Sequence, residues 1–262
     1  VAKDCGAGFF AQVLYILNQV IYAEERGLRA VAHLPRTCLD RRPNRYFDQA
    51  HGENVWDYYF EPLQPQPTLP GSRVLDRKLL YDLHHNARAS IFTYPHGIYR
   101  AMKAPKWRYD EAWYRTMRAR ASAVLQAHVR IKSHVLSRVR AFYDEHLARR
   151  HMLGVHMRGT DKLKTHGGRV LKPPEYAPLI ARYLRAHPQA RIYLATDSPA
   201  FLREVREAHG EAIVSYDALR SEKNAFQDRG VPDNYKKGED ALVEALLLSC
   251  SSFLLKPASA LS

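Results

Sequence analysis

The sequence predicts an α/β fold in which a parallel sheet carries helices on both faces. In its second half, short apolar runs typical of buried strands alternate with segments of helical spacing. Polar residues follow three of the apolar runs, at the strand ends where open α/β sheets bind ligands. The length of 262 residues suits one large domain or two small ones. We place the boundary near residue 150, which gives a first α/β domain of 1–150 and a second of 151–262.

The first domain opens with a glycine-bearing turn, DCGAG, at residues 4–8. Apolar residues at helical spacing predict a helix from Phe9 to about Arg26, and LRAVAHLP (28–35) reads as a short strand. The aromatic-rich segment 53–63 predicts a short helix or turn. Residues 107–149 predict two or more helices.

The second domain has a clearer pattern. Strands are predicted in MLGVHMR (152–158), ARIYLATD (190–197), EAIVSY (211–216) and FLLKP (253–257). Helices are predicted over 173–188, over 198–210 and within GEDALVEALLLSCSS (238–252). Ser198 suits the N-cap of the second helix, and Gly210 suits its end.

The three polar strand ends are HMRGTDK (156–162), ATDSP (195–199) and KPASA (256–260). Together they would supply a cation, backbone N–H groups and hydroxyls, which suit a phosphate.

The first of these strand ends carries the most chemistry. His156 and Arg158 are two apart on a strand and therefore share a face. A guanidinium can hold two phosphate oxygens, Lys162 adds a second positive charge, and Gly159 would let the backbone approach a ligand. The alternative is a structural pair between Arg158 and Asp161.

The composition indicates an anionic partner. The formal net charge is +13, from 40 basic and 27 acidic residues. Nucleic acid, anionic glycans and phosphorylated small molecules all fit this charge, and so does a merely arginine-rich surface. No helix-turn-helix signature, RNA-binding segment or zinc finger supports nucleic acid. No run of 18 apolar residues occurs, so no membrane-spanning helix is predicted.

The sequence offers no metal-binding spacing. Its 3 cysteines include no CxxC pair, although one disulfide could form. The 13 histidines form no HExxH motif. The sequence also contains no Asp-x-Asp, the motif by which many nucleotide-sugar enzymes hold a divalent ion. This pattern favours a reaction without a metal ion.

HMRGTDK resembles the HxRxTDK segment of the GDP-fucose-dependent fucosyltransferases, a group that holds the α-1,6- and nodulation-type enzymes and O-fucosyltransferase-like proteins. YLATDSP (193–199) looks like their second segment, and GEDALVEALLLSCSSFLLKPASALS (238–262) is similar to their third. DCGAGFFAQ (4–12) is similar to the glycine loop of their first domain. The three C-terminal segments occur in the order of the family and cover about residues 150–262.

The resemblance implies a fold of two Rossmann-like domains of the GT-B type. It implies an inverting transfer of fucose from GDP-fucose to a glycan or protein hydroxyl, without a metal or other cofactor. The first domain would take the acceptor, and the second would bind GDP. Arg158 would grip the diphosphate and stabilise the charge that develops on the departing β-phosphate.

The resemblance also assigns further site residues. His156 would line the nucleotide pocket, and Ser259 would contact the phosphates. Glu244, or Asp240 one turn earlier, would recognise guanine through its carboxylate; otherwise both lie on a solvated helix face. Asp197 would orient the sugar or a phosphate-binding loop, or else cap the helix that follows it.

Other site residues concern the general base and the first domain. The α-1,6 enzymes carry a glutamate four positions after the motif lysine, and this chain has His166 there. A histidine is a suitable base near neutral pH, but the departure suggests a different acceptor or a base from the first domain. Gly6 and Gly8 precede a helix and suit a phosphate or sugar. The aromatic residues of 56–59 and 107–114 would stack on an acceptor sugar, unless they form core.

Three rival interpretations stay open: a transferase for another GDP-sugar, a non-catalytic basic module for anionic glycan or nucleic acid, and an inactive relative of the transferases. The chain begins at Val1 and ends directly after an apolar run, so we expect a fragment. The resemblance implies the Golgi lumen, behind an N-terminal anchor, for a eukaryotic protein and the cytoplasm for a bacterial one.

Overall fold

The structure is a computed structural model that describes residues 8–38, 41–63, 111–159, 170–222 and 233–257. The chain divides into two compact units, Val1–Lys132 and Ser133–Ser262. Within the described ranges, no helix is long and apolar enough to cross a membrane.

The described part of the first unit is helical. Helix α1 spans Phe9–Glu24, α2 spans Trp56–Tyr59 and α3 spans Glu111–His128, with a 3-10 turn at Gln49–His51. Phe9 stacks edge-on against Tyr59, with ring centroids 5.2 Å apart. Trp56 is also fully buried. The aromatic side chains of 56–59 therefore form core, as one of their two interpretations had it, and Trp56 and Tyr59 are not available to stack on an acceptor sugar.

The strand expected at residues 28–35 is not formed. The side chain of Asn54 replaces a partner strand there, because its Oδ1 accepts from Leu34 N at 2.8 Å and its Nδ2 donates to Ala32 O at 3.0 Å. Val55 N also donates to Leu34 O at 3.0 Å. The backbone of this segment is thus satisfied without a sheet ladder. No strand occurs in the described part of this unit, so a Rossmann-like first domain is not confirmed.

The second unit contains the predicted parallel sheet. Its elements are α4 (Ser133–His146), β1 (Met152–Met157), α5 (Pro173–Ala186), β2 (Arg191–Thr196), α6 (Pro199–His209), β3 (Ile213–Val214), α7 (Asn234–Ser249) and β4 (Phe253–Leu255), with a 3-10 turn at Gly210–Ala212. The strands are ordered β3-β2-β1-β4, and every pairing is parallel. This matches the first four positions in the 3-2-1-4-5-6 strand order of a doubly wound nucleotide-binding sheet.

The two faces of this sheet are covered by different helices. Leu153, Val155 and Met157 of β1 pack in one core with Ile180 of α5 and Val205 of α6. Side chains alternate along a strand, so the intervening positions of β1 face the opposite side. Helices α4 and α7 pack against each other, and α7 contacts β1 and β2. Helices on both faces confirm the predicted α/β architecture of this unit.

Helix α4 belongs to the second compact unit because it packs with α7. The chain passes from the first compact unit to the second between Lys132 and Ser133. The expected functional domains of 1–150 and 151–262 stay a prediction. The assignment of acceptor and GDP binding to separate domains stays a prediction. Cys38 is disulfide-bonded, whereas Cys250 is free and exposed.

Candidate functional site

A cavity opens at the carboxyl ends of β1, β2 and β3 in the second unit. Its floor comes from the ends of β1 and β2, one wall from the chain after β3, and the other wall from α7. The lining residues are His156, Arg158, Thr196, Asp197, Ala218, Leu219, Lys237, Asp240, Ala241 and Glu244. Five of the residues predicted from the sequence thus meet here, although their roles stay predictions.

Arg158 lies directly after the carboxyl end of β1 and faces Asp197, which directly follows β2. Arg158 Nε is 3.6 Å from Asp197 Oδ2, and the two side chains are only 13% and 10% exposed. His156, two positions earlier on the same face of β1, is buried at the cavity floor. The strand alternation therefore brings the histidine and the arginine together, as their spacing predicts.

Asp197 does not cap the helix that follows it. Ser198 is the N-cap of α6, and its hydroxyl accepts from Phe201 N at 3.3 Å. Asp197 instead turns toward β1, where its Oδ1 accepts from Gly159 N at 2.7 Å. Of the expected roles, capping is therefore wrong, and Asp197 fixes the first residues after β1.

Gly159 is required by packing within the protein. A Cβ at this position would lie 2.9 Å from Ser198 Cβ and 3.1 Å from Phe201 Cε2. The start of α6 thus lies directly against the backbone after β1. This close approach explains the glycine without the ligand contact that the sequence suggested.

Glu244 is a buried carboxylate with an unfilled hydrogen-bonding capacity. It lines the cavity, and its Oε1 has no hydrogen-bond partner in the described part of the chain. Burial raises the pKa of Glu244 to about 8, and the nearby Arg220 partly offsets this effect. A buried polar atom without a partner is costly, and ligand donors at this position would remove the cost.

The carboxylate of Asp240, the alternative to Glu244, already accepts hydrogen bonds from within the protein. Lys236 Nζ lies 2.7 Å from each of its carboxylate oxygens, and Leu219 N donates to its Oδ2 at 2.7 Å. Burial raises the pKa of Asp240, whereas these donors lower it. Asp240 ties the wall after β3 to α7, so Glu244 is the better acceptor for a ligand.

Arg220 was not anticipated from the sequence. Its guanidinium donates to Thr196 O at 3.1 Å and Ala218 O at 2.9 Å, and to Tyr216 O at 2.7 Å and Ser215 Oγ at 2.9 Å. Its Nη2 also lies 3.5 Å from Glu244 Oε1. Arg220 therefore holds the wall formed by residues 215–221 against the end of β2, next to Glu244.

Lys237 is a further cation that the sequence analysis missed. It is only 8% exposed, lines the cavity, and donates to Asn234 Oδ1 at 3.0 Å. Lys237, Ala241 and Glu244 are spaced i, i+4 and i+7, so they share one face of α7. That spacing would have identified Lys237 if the helix had been predicted to begin at Asn234 rather than near Gly238.

The remaining predicted site residues are not part of the described cavity. Gly6, Lys162, His166 and Ser259 lie outside the described residues, as does Asp161. Gly8 is the N-cap of α1 in the first unit, and a Cβ there would meet nothing within 4 Å. The aromatic side chains of 107–114 also lie outside the described set. Within that set, no group of three or more His, Cys, Asp or Glu residues could hold a metal ion.

Comparison with known proteins gives a likeness of fold. No family profile and no curated protein matches the sequence. The crystal structure of NodZ α-1,6-fucosyltransferase co-crystallised with GDP is 18% identical, covers 97% of this chain and 87% of its own, and superposes with a TM-score of 0.55.

Two further solved structures are similar to the same extent. Fucosyltransferase NodZ from Bradyrhizobium is 18% identical with a TM-score of 0.58, and NodZ soaked with GDP-fucose is 17% identical with a TM-score of 0.53. Each covers 97% of this chain and 87% of its own. The resemblance read from the sequence is therefore confirmed at the level of the fold.

Proposed function

We propose that the protein is a glycosyltransferase that takes a GDP-sugar as donor, that the sugar is fucose, and that the acceptor is a glycan or protein hydroxyl. The observation that carries the proposal is that one cavity is lined by both the guanidinium of Arg158 and the carboxylate of Glu244, whose Oε1 has no hydrogen-bond partner among the described residues. A guanidinium suits a diphosphate, and a carboxylate suits the N1–H and exocyclic amine of guanine. The fold shared with NodZ supports this assignment.

In this proposal the cavity divides into a base end and a phosphate end. Ala218, Leu219 and Ala241 offer apolar contacts to the faces of a base whose edge reaches Glu244. Arg158 and Lys237 supply positive charge for the diphosphate. Gly6, Gly8 and Ser259 are proposed to add phosphate or sugar contacts, as the resemblance implies.

The proposed reaction inverts the anomeric carbon. The acceptor oxygen forms a bond to the sugar C1 while the bond from C1 to the β-phosphate oxygen breaks, and GDP leaves. Arg158 stabilises the charge that develops on the β-phosphate, in place of a metal ion, and Lys162 assists it. The proton of the acceptor hydroxyl passes to a base, for which His166 is the candidate.

Thermal denaturation with nucleotides tests the donor assignment. A ligand that binds only the folded state raises the melting temperature, and at equal concentration a tighter ligand raises it more. Above the pKa of Glu244, about 8, we expect GDP to stabilise the protein and ADP to stabilise it much less. Equal stabilisation by both, lost steeply with added salt, would instead support a basic binding module.

Release of GDP from several GDP-sugars, with and without candidate acceptors, tests the sugar and the activity. We expect GDP-fucose to give the highest rate. A higher rate with another GDP-sugar would replace fucose in the proposal. Selective GDP binding without turnover of any donor would identify an inactive relative.

A further inference from the structure

Glu244 has two ionisation states that offer different hydrogen bonds to a base. An ionised carboxylate has two acceptor oxygens, which match the N1–H and exocyclic amine of guanine. A neutral carboxylic acid has one donor and one acceptor, which match the N1 acceptor and exocyclic amine of adenine. The proton on this one side chain therefore decides which purine the cavity suits.

Arg220 is placed to influence that proton without contacting the ligand. It does not line the cavity, and four protein acceptors hold its guanidinium at Nε, Nη1 and Nη2. Its positive charge nevertheless lies 3.5 Å from Glu244 Oε1, at a site where both side chains are 10% exposed. At low exposure, solvent screens such a pair weakly.

We infer that Arg220 is a positioning residue which, by favouring the ionised form of Glu244, makes the cavity prefer guanine over adenine increasingly as the pH rises. The inference rests on the proposed function, since it concerns the same nucleotide site.

Other charges near Glu244 must be separated from this effect. Asp197 and Asp240 oppose its ionisation, whereas Lys236 on the same helix favours it. The buried phenol of Tyr193 on β2 also interacts with its charge. The other titratable or charged groups of the cavity are His156, Arg158 and Lys237.

The experiment compares the dissociation constants of GDP and ADP for the full chain by titration calorimetry, from about pH 6 to about pH 8.5. The two nucleotides carry the same diphosphate, so the ratio of their dissociation constants cancels the contributions of Arg158, Lys237 and His156 to phosphate binding. Because guanine pairs with the ionised carboxyl and adenine with the neutral one, guanine selectivity should increase by up to about tenfold per pH unit on both sides of the Glu244 pKa of about 8, between a lower plateau set by the neutral form and an upper plateau set by the ionised form.

Three variants assign the effect. Glu244→Gln keeps one donor and one acceptor at every pH, so its selectivity should be independent of pH and lower than that of the wild type by about tenfold or more above pH 8. Arg220→Met should move the midpoint of the selectivity curve to higher pH. Arg220→Lys should leave the midpoint close to that of the wild type, because it keeps the charge.

The two Arg220 variants lose most of the same hydrogen bonds, so a purely structural role would affect both alike. Equal midpoints in Arg220→Met and the wild type would overturn the inference, as would guanine selectivity that does not vary with pH in the wild type. If both Arg220 variants fail to fold, the pH dependence of guanine selectivity is compared between the wild type and Glu244→Gln. The same pH dependence in both proteins would then overturn the inference. Absence of any selective GDP binding by the wild type would instead overturn the proposed function.

Discussion

Arg158 Nε lies 3.6 Å from Asp197 Oδ2, and both side chains line the same cavity. The ion pair therefore holds the Arg158 guanidinium at the carboxyl end of β1, where it still lines the cavity. A carboxylate in this position orients the cation but also competes with a ligand for it. A diphosphate that binds here would take over part of the charge compensation that Asp197 now supplies.

Replacement of Arg158 tests its proposed role in the departure of GDP. We expect Arg158→Ala to lower the rate of transfer by about 100- to 1000-fold, because a fixed charge at the leaving group is lost. Arg158→Lys keeps the charge without the planar fork and should lose about tenfold. Steady-state turnover of GDP-fucose measures both. Near-wild-type turnover of Arg158→Ala would refute the assignment.

The two roles of Asp197 are separable by matched substitutions. Asp197→Asn keeps an acceptor for Gly159 N and loses the charge beside Arg158, whereas Asp197→Ala loses both. We expect the free energy of unfolding to fall by about 1–2 kcal/mol more in the Ala variant than in the Asn variant. Urea denaturation measures the difference. Equal stabilities would show that the 2.7 Å hydrogen bond to Gly159 N contributes nothing.

Gly159 and Gly8 provide a contrast between packing and ligand binding. Gly159→Ala should destabilise the fold by about 1–3 kcal/mol, because its Cβ would overlap Ser198 and Phe201. Gly8→Ala meets no neighbour and should leave stability unchanged, so any loss of turnover in that variant would report on a ligand contact. Melting temperatures check both. A fully stable Gly159→Ala protein would contradict the packing explanation.

The buried carboxylate of Glu244 predicts a pH dependence of stability. Its pKa is raised to about 8 from an ordinary value of 4.5, so the folded state holds the proton more tightly than the unfolded state. The contribution of Glu244 to stability is therefore complete below pH 4.5, falls as the pH rises, and levels off above about pH 8.

Glu244→Gln removes this dependence while it keeps the volume of the side chain. At pH 8 we expect the unliganded variant to be more stable than the wild type by about 1–3 kcal/mol, and at low pH the difference should shrink. Chemical denaturation at several pH values measures it. A stability difference that is constant from acidic to alkaline pH would contradict burial of the charge.

The sequence predicted the second unit better than the first. Apolar runs and caps located β1, β2, α5 and α6 because the two strands are buried on both faces and the two helices bury an apolar face at helical spacing. The segment 28–35 has a strand pattern, but the side chain of Asn54 satisfies its backbone from 20 residues away, and local patterns do not record such a contact. Strand β3 is shorter than the predicted 211–216, since only Ile213 and Val214 pair with β2.

The candidate site could be predicted only in part for the same reason. Alternation along β1 and spacing along α7 identify His156, Arg158, Asp240 and Glu244. Arg220 lies in an irregular loop and reaches β2 and α7 only through the tertiary fold, so no spacing reveals it. The distinction between Asp240 and Glu244 also depends on the fold, because Leu219 N satisfies only the former.

The structure of the protein bound to GDP tests the central claim most directly. The account predicts that β-phosphate oxygens lie at about 2.8 Å from the Arg158 guanidinium, with the guanine edge directed at Glu244. A nucleotide bound elsewhere, or one bound here while Arg158 contacts only Asp197, would contradict it.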